Sequence, residues 1–211
     1  MEGKRWNGKG RKYDYSGILL FEGEYLKGKR WEGKGKEHEN NKLIFEGEYK
    51  KGKKWKGKRC VYKYGSLIFE GEYIDDKKNG IGKEYQYNKL IFEGEYLDGK
   101  RNGKGKEYKY GKLIYKGEYL KGKRNGIGKE YKDGKLIFVG EYLNEKWWNG
   151  RGKEYDHLNR LIFKGEYLNG KKWNGEGKEF KYGKLIFKGE YLNGKKSNFS
   201  FLSGIIPGKK K

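Results

Sequence analysis

Residues 90–96 read Leu90-Ile91-Phe92-Glu93-Gly94-Glu95-Tyr96, and close variants of this stretch recur down the chain. The central glycine falls at Gly23, Gly47, Gly71, Gly94, Gly117, Gly140, Gly165 and Gly189, at intervals of 24, 24, 23, 23, 23, 25 and 24 residues. A fixed period of this length marks a repeat array rather than a single globular core. In such an array function lies on the faces and edges that every copy repeats.

Within one copy, Leu90, Phe92, Gly94 and Tyr96 alternate with Ile91, Glu93, Glu95 and Leu97, which predicts a β-strand. The residues from Asp98 to Gly103 supply turn chemistry, including Asn102-Gly103. Gly103 to Tyr108 reads as the returning strand, and Lys109-Tyr110-Gly111-Lys112 turns the chain into the next copy. Each copy is therefore a hairpin, and the expected fold is all-β: an elongated, single-layer antiparallel ribbon. Two strands per copy advance it by roughly 10 Å, so eight copies span on the order of 80 Å. The array is expected over residues 1–196, as eight copies plus an N-terminal half copy. Residues 197–211, with Phe199 and Phe201, read as a capping strand and basic tail.

Alternation assigns two faces. One carries Leu90, Phe92 and Tyr96 with Gly103 and Gly105; the other carries Ile91, Glu93, Glu95, Lys104, Lys106 and Tyr108. Glu and Lys on neighbouring strands are expected to pair across the second face. Copies of 24 residues have Trp in the hairpin tip, as in Lys29-Arg30-Trp31 and Lys53-Lys54-Trp55, whereas copies of 23 do not, as in Lys100-Arg101-Asn102 and Lys123-Arg124-Asn125.

The chain has 52 Lys and Arg against 29 Asp and Glu, a formal charge of +23, which implies acidic partners. Cys60 is the sole cysteine, so nothing indicates a disulfide framework. No leader pattern opens the chain and the apolar runs are only a few residues long, which sets the expectation of a cytoplasmic protein, peripheral to a membrane or the cytoskeleton.

The stretch Phe92-Glu93-Gly94-Glu95-Tyr96-Leu97-Asp98-Gly99-Lys100-Arg101-Asn102-Gly103-Lys104-Gly105 resembles the MORN repeat, whose pattern is aromatic-x-Gly-Glu-aromatic, then Gly-Lys, then Gly-x-Gly. The likeness extends over nearly the whole chain. It departs at Gly105-Lys106-Glu107-Tyr108, where the aromatic stands three residues past the second glycine rather than two. That moves one aromatic to the opposite face or requires a bulge. The run Gly-Lys-Glu-Tyr-x-x-Gly-Lys-Leu also looks like bacterial MORN-type repeats of antitoxin-like proteins. The resemblance implies a non-enzymatic ribbon that tethers membranes or holds partner proteins, sometimes as a helix laid along an aromatic groove.

Two candidate binding surfaces follow. The first is an edge of hairpin tips bearing Lys29, Arg30, Trp31, Lys53, Lys54, Trp55, Lys100, Arg101, Lys123, Arg124, Trp147, Trp148, Lys171, Lys172 and Trp173. Basic clusters attract anionic headgroups and Trp suits a membrane–water interface. The second is the aromatic face of Phe45, Tyr49, Phe69, Tyr73, Phe92, Tyr96, Tyr115, Tyr119, Phe138, Tyr142, Phe163 and Tyr167. A single layer must fold these rings onto one another or have a partner cover them. His38 and His157 are isolated and no nucleophile, phosphate-loop or zincin pattern occurs, so neither catalysis, a metal nor a cofactor is expected.

The expected function is a non-catalytic scaffold binding a partner protein, an anionic membrane surface, or both. The same Trp-bearing edge also suits nucleic acid, and an antitoxin-like neutralising module is a third reading. The unpaired strand at the N-terminal end adds self-association as an expectation.

Overall fold

The computed structural model describes residues 6–198. Over that span the chain forms 17 β-strands and no helix. Each strand pairs antiparallel with its neighbours in sequence. The result is one open, elongated sheet of consecutive hairpins. Among the described residues, β1 (Gly8–Tyr13) and β17 (Lys195–Asn198) have one partner strand each. The expected capping strand at Phe199 and Phe201, and the start of the N-terminal half copy, lie outside the described residues.

One repeat shows how the sequence builds the unit. Strand β8 (Lys89–Leu97) runs to a tip, β9 (Lys100–Lys109) returns, and β10 (Lys112–Leu120) opens the next copy. Gly94 pairs with Gly105 and Gly105 with Gly117, so glycines form a line across the strands. The Phe92 ring lies flat on that line. A Cβ on Gly105 would stand 2.6 Å from Phe92 Cζ and 3.1 Å from Tyr119 Cε2, so only glycine admits the ring.

Phe92 meets Tyr96 and Tyr119 edge to face, at centroid distances of 5.6 and 5.3 Å. The same contact repeats from Phe21 to Tyr191, except between Phe45 and Tyr73. Such pairs contribute about 0.5–1.5 kcal/mol each beyond area burial. Six rings, Phe21, Phe45, Phe92, Tyr115, Phe138 and Phe163, are no more than 1% exposed. Of the two ways a single layer can treat an aromatic face, this chain folds the rings onto one another.

The register shifts twice per repeat, once near the tip, where Gly94 pairs with Gly105 but Tyr96 with Arg101, and once at the connector. Phe92 pairs with Glu84 but Leu90 pairs with Tyr85, so Ile91 is an extra residue, a β-bulge. The bulge sets Leu90 opposite Tyr85, on the charged face rather than the aromatic one where alternation placed it. Both consequences of the Gly-x-Glu-Tyr spacing are therefore present, a bulge at the connector and a tyrosine on the charged face. Consecutive tips are also tied together. Asn102 Oδ1 accepts from the Lys121 amide at 3.3 Å, and Asn125, Asn149 and Asn174 repeat the bond to Asn144, Asn169 and Asn193.

Candidate binding surfaces

The two basic residues of each tip pair part company. The first, Lys29, Lys53, Lys100, Lys123 or Lys171, is exposed. The second, Arg30, Lys54, Arg101, Arg124 or Lys172, folds inward over the aromatic file. The Arg101 guanidinium lies 4.0 Å from the Phe92 centroid and that of Arg124 lies 4.3 Å from Tyr115. Cations over ring faces are attracted to the ring quadrupole. The edge therefore presents a single file of lysines rather than a file of cation pairs.

What draws the second cation inward is a glutamate at the position two past the glycine, where the MORN pattern has an aromatic. Glu107 accepts a hydrogen bond from Tyr119 Oη at 2.6 Å and from Arg124 Nη2 at 2.5 Å, and Arg101 stands 3.5 Å away. Glu84 does the same with Tyr96 at 2.8 Å and Arg101 at 2.6 Å, with Lys78 at 3.4 Å. Each glutamate thus reaches cations of the tips before and after it, giving an alternating chain Lys78–Glu84–Arg101–Glu107–Arg124–Glu130.

Burial opposes the charge on Glu84 and Glu107, but hydrogen bonds from Arg101 and Arg124 outweigh it and hold both carboxyls below the ordinary range. The tyrosines move the other way. Burial and then the neighbouring carboxylate push Tyr96, Tyr119 and Tyr167 well above the usual phenol value, and Tyr49 up to about 12.

Two repeats depart from this scheme. Trp147 pairs with Tyr142 as Arg124 pairs with Tyr119. Its ring stacks on Phe138 at 4.5 Å and 9°, and its Nε1 donates to Glu130 at 2.8 Å. An indole thus replaces a cation, supplying the same cover and the same donor. At the second departure Arg59 occupies the place of the second glycine, pairing with Gly71, and Val61 takes the place of the glutamate. The Arg59 guanidinium lies 5.6 Å from Phe45 and 4.8 Å from Tyr73, and reaches Asp76 at 2.5 Å. It stands between the two rings, and the core divides there into one group with Phe21, Phe45 and Tyr49 and another from Phe69 onward.

The remaining tip tryptophans pack within the edge. A Cβ on Gly52 would stand 3.6 Å from the Trp31 ring, and Gly170 and Gly194 relate in the same way to Trp148 and Trp173 at 3.5 Å. Lys50 Nζ lies 4.7 Å above Trp55. Each of Trp31, Trp55, Trp147, Trp148 and Trp173 is partly covered. Of the predicted aromatic face, Tyr73, beside Arg59, is only partly buried, and the other residues form the core.

The charged face shows what the sequence reading did not single out. In the first half, the position before the central glycine is Glu22, Glu46, Glu70 and Glu93, paired with Arg11, Lys36, Lys83 and Lys106. From the fifth copy it becomes Lys116, Val139, Lys164 and Lys188. Cations then lie directly opposite cations: Lys116 faces Lys106 and Lys129, Lys164 faces Lys153 on one side and Glu176 on the other, and Lys188 faces Lys178. Lys116, Lys129, Lys153, Lys164, Lys178 and Lys188 are all exposed and, among the described residues, none has an ion-pair partner within 4.0 Å. A trough of about 560 Å³ crosses this strip, lined by Leu136, Val139, Lys153 and Lys164 among others. Among the described residues no group of three His, Cys, Asp or Glu side chains has a metal-binding arrangement. No protein-family model matches the chain, and no curated protein matches it.

Proposed function

We propose that this ribbon is a non-catalytic scaffold of MORN type that holds an acidic partner protein and lies against an anionic membrane surface. The observation that carries the reading is the set of exposed lysines that face other lysines across the ladder at Lys116, Lys164 and Lys188, interrupted by Val139 and by Glu176 opposite Lys164. Like charges directly across a ladder are destabilising, so an anionic ligand that neutralises them relieves repulsion as it binds. The exposed apolar side chains beside them, Ile127 and Val139, add surface that favours contact over simple ion condensation. The aromatic face contributes rigidity rather than a groove, because its rings are already covered.

The test uses the full chain and the triple variant Lys116→Glu, Lys164→Glu, Lys188→Glu, which installs the glutamates that the first half already uses. Co-sedimentation with phosphatidylserine-containing and with neutral liposomes at physiological salt is paired with capture on immobilised polyglutamate. The parent should bind the anionic vesicles and the acidic polymer, and the variant neither. A parent that binds neither, or a variant that binds like the parent, removes the strip as the contact surface.

A further inference from the structure

The connector edge, opposite the tips, carries a second set of side chains that neither the fold nor the proposed scaffold role uses. Tyr64, Tyr87, Tyr110 and Tyr182 are 96, 88, 83 and 93% exposed. Each occupies the first central position of its connector turn, with φ of 50, 51, 52 and 48°. This left-handed conformation suits Gly, Asn and Asp and disfavours side chains as bulky as tyrosine. The chain itself uses the comfortable residue elsewhere, Asn40 and Asp133 standing at φ 48 and 51° in equivalent turns. A strained aromatic, almost fully exposed and packed on no other ring, is required by neither the turn nor the core.

Cations accompany the rings. Lys63, Lys109 and Lys181 hold their ammonium groups 5.4, 5.6 and 5.7 Å from the centroids of Tyr64, Tyr110 and Tyr182. Lys89 and Lys112 close the turns of Tyr87 and Tyr110; no carboxylate lies within any of these four turns, and the nearest partner, Asp133 of the next connector, stands 3.7 Å from Lys112. Tyr64, Tyr87 and Tyr110 belong to successive repeats, so three rings line one edge over roughly 20 Å, the rise of two repeats.

The geometry points to a single-stranded nucleic acid as the ligand of this edge, its bases stacking on Tyr64, Tyr87 and Tyr110 and its phosphates meeting the flanking lysines. An acidic peptide would use the lysines but leave the rings idle. A duplex keeps its base faces inside the stack. A single strand offers a flat π-face and a negative charge at every step, which is the pairing that this edge repeats.

The experiment measures fluorescence anisotropy of a labelled 20-nucleotide oligouridylate with the full chain at about 150 mM salt, near physiological ionic strength. The variant Tyr64→Asn, Tyr87→Asn, Tyr110→Asn keeps residues that accept the left-handed turn, and circular dichroism checks that it remains folded. Loss of stacking should weaken binding by on the order of tenfold per ring, with the salt dependence unchanged because no lysine is lost. The Tyr→Phe triple variant, which keeps the rings, should bind like the parent. The Lys116→Glu, Lys164→Glu, Lys188→Glu variant should also retain oligonucleotide binding, which separates this edge from the lysine strip. The inference is overturned if the parent does not bind, if the Tyr→Asn variant binds as the parent does, or if reversing the strip abolishes binding.

Discussion

Trp147 shows that an indole can stand where the other tips place a cation, and Lys172 offers the same turn for a direct trial. Lys172-Trp173 matches Trp147-Trp148 in register, each first residue pairing with the tyrosine of its copy. Lys172 Nζ is 2.9 Å from Glu154 and 5.0 Å from the Phe163 centroid, with both charged side chains about a quarter to a third exposed (26 and 32%). A partly exposed ion pair contributes up to about 1 kcal/mol, and the cation–π contact about 0.5 to 1. Lys172→Ala should therefore cost about 0.5–2 kcal/mol. Lys172→Trp loses the charge but regains a donor to Glu154 and a stacked ring, whose aromatic contact contributes about 0.5–1.5 kcal/mol beyond its area. It should match the parent or exceed it by up to about 1 kcal/mol. Urea unfolding followed by far-UV circular dichroism reads both variants without interference from the added indole, and the m-value checks that cooperativity is kept. A Trp variant as unstable as the Ala variant would refute the reasoning, since the charge itself, not cover plus a donor, would then be what the site requires.

The lowered carboxyls and raised phenols set the pH limits of the fold. Glu84 and Glu107 sit below their ordinary 4.5, so their contribution is complete above that value and is lost as the pH falls through the folded-state values. Tyr96, Tyr119 and Tyr167 sit above their ordinary 10.0, so theirs is complete below that value and is lost as the pH rises past it. Thermal melts across pH should show a plateau between these limits and a fall on both sides; stability that holds level well above pH 10 would contradict the buried phenols. Gly105→Ala should destabilise by about 1–3 kcal/mol, because its methyl overpacks the Phe92 and Tyr119 rings. An unchanged urea midpoint would show that the rings have room to move.

The architecture was legible because its two periods are simple. The repeat of 23 to 25 residues identified the array, and the two-residue alternation put Phe92 and Tyr96 on one face. Leu90 was misplaced because a bulge cancels alternation, and nothing in Leu-Ile-Phe reveals which residue is extra. Glu107 was within reach of the sequence, since counting by twos from Gly105 sets it on the aromatic face. The inward turn of Arg101 and Arg124 was not, because it depends on how far a long side chain reaches toward a carboxylate in the adjoining repeat. The change from Glu93 to Lys116 at the position before the glycine is plain once the copies are aligned. Its meaning required the register, which shows that Lys106 and Lys129 flank the new lysine.

Arg59 gives the ribbon a seam. An array in which each repeat touches only its neighbours has a stability close to a sum of unit and interface contributions. The interface at Arg59 lacks both the ring-to-ring contact and the glutamate that the others share. Opening there separates the copies before Arg59 from the longer block that follows, without disturbing the packing inside either. The backbone amides of the two blocks are then two populations, protected to different depths against exchange with solvent. Arg59 bridges Phe45 and Tyr73 there by cation–π contact in place of the ring-to-ring packing, so hydrogen exchange should show a short segment and a long one as those two populations.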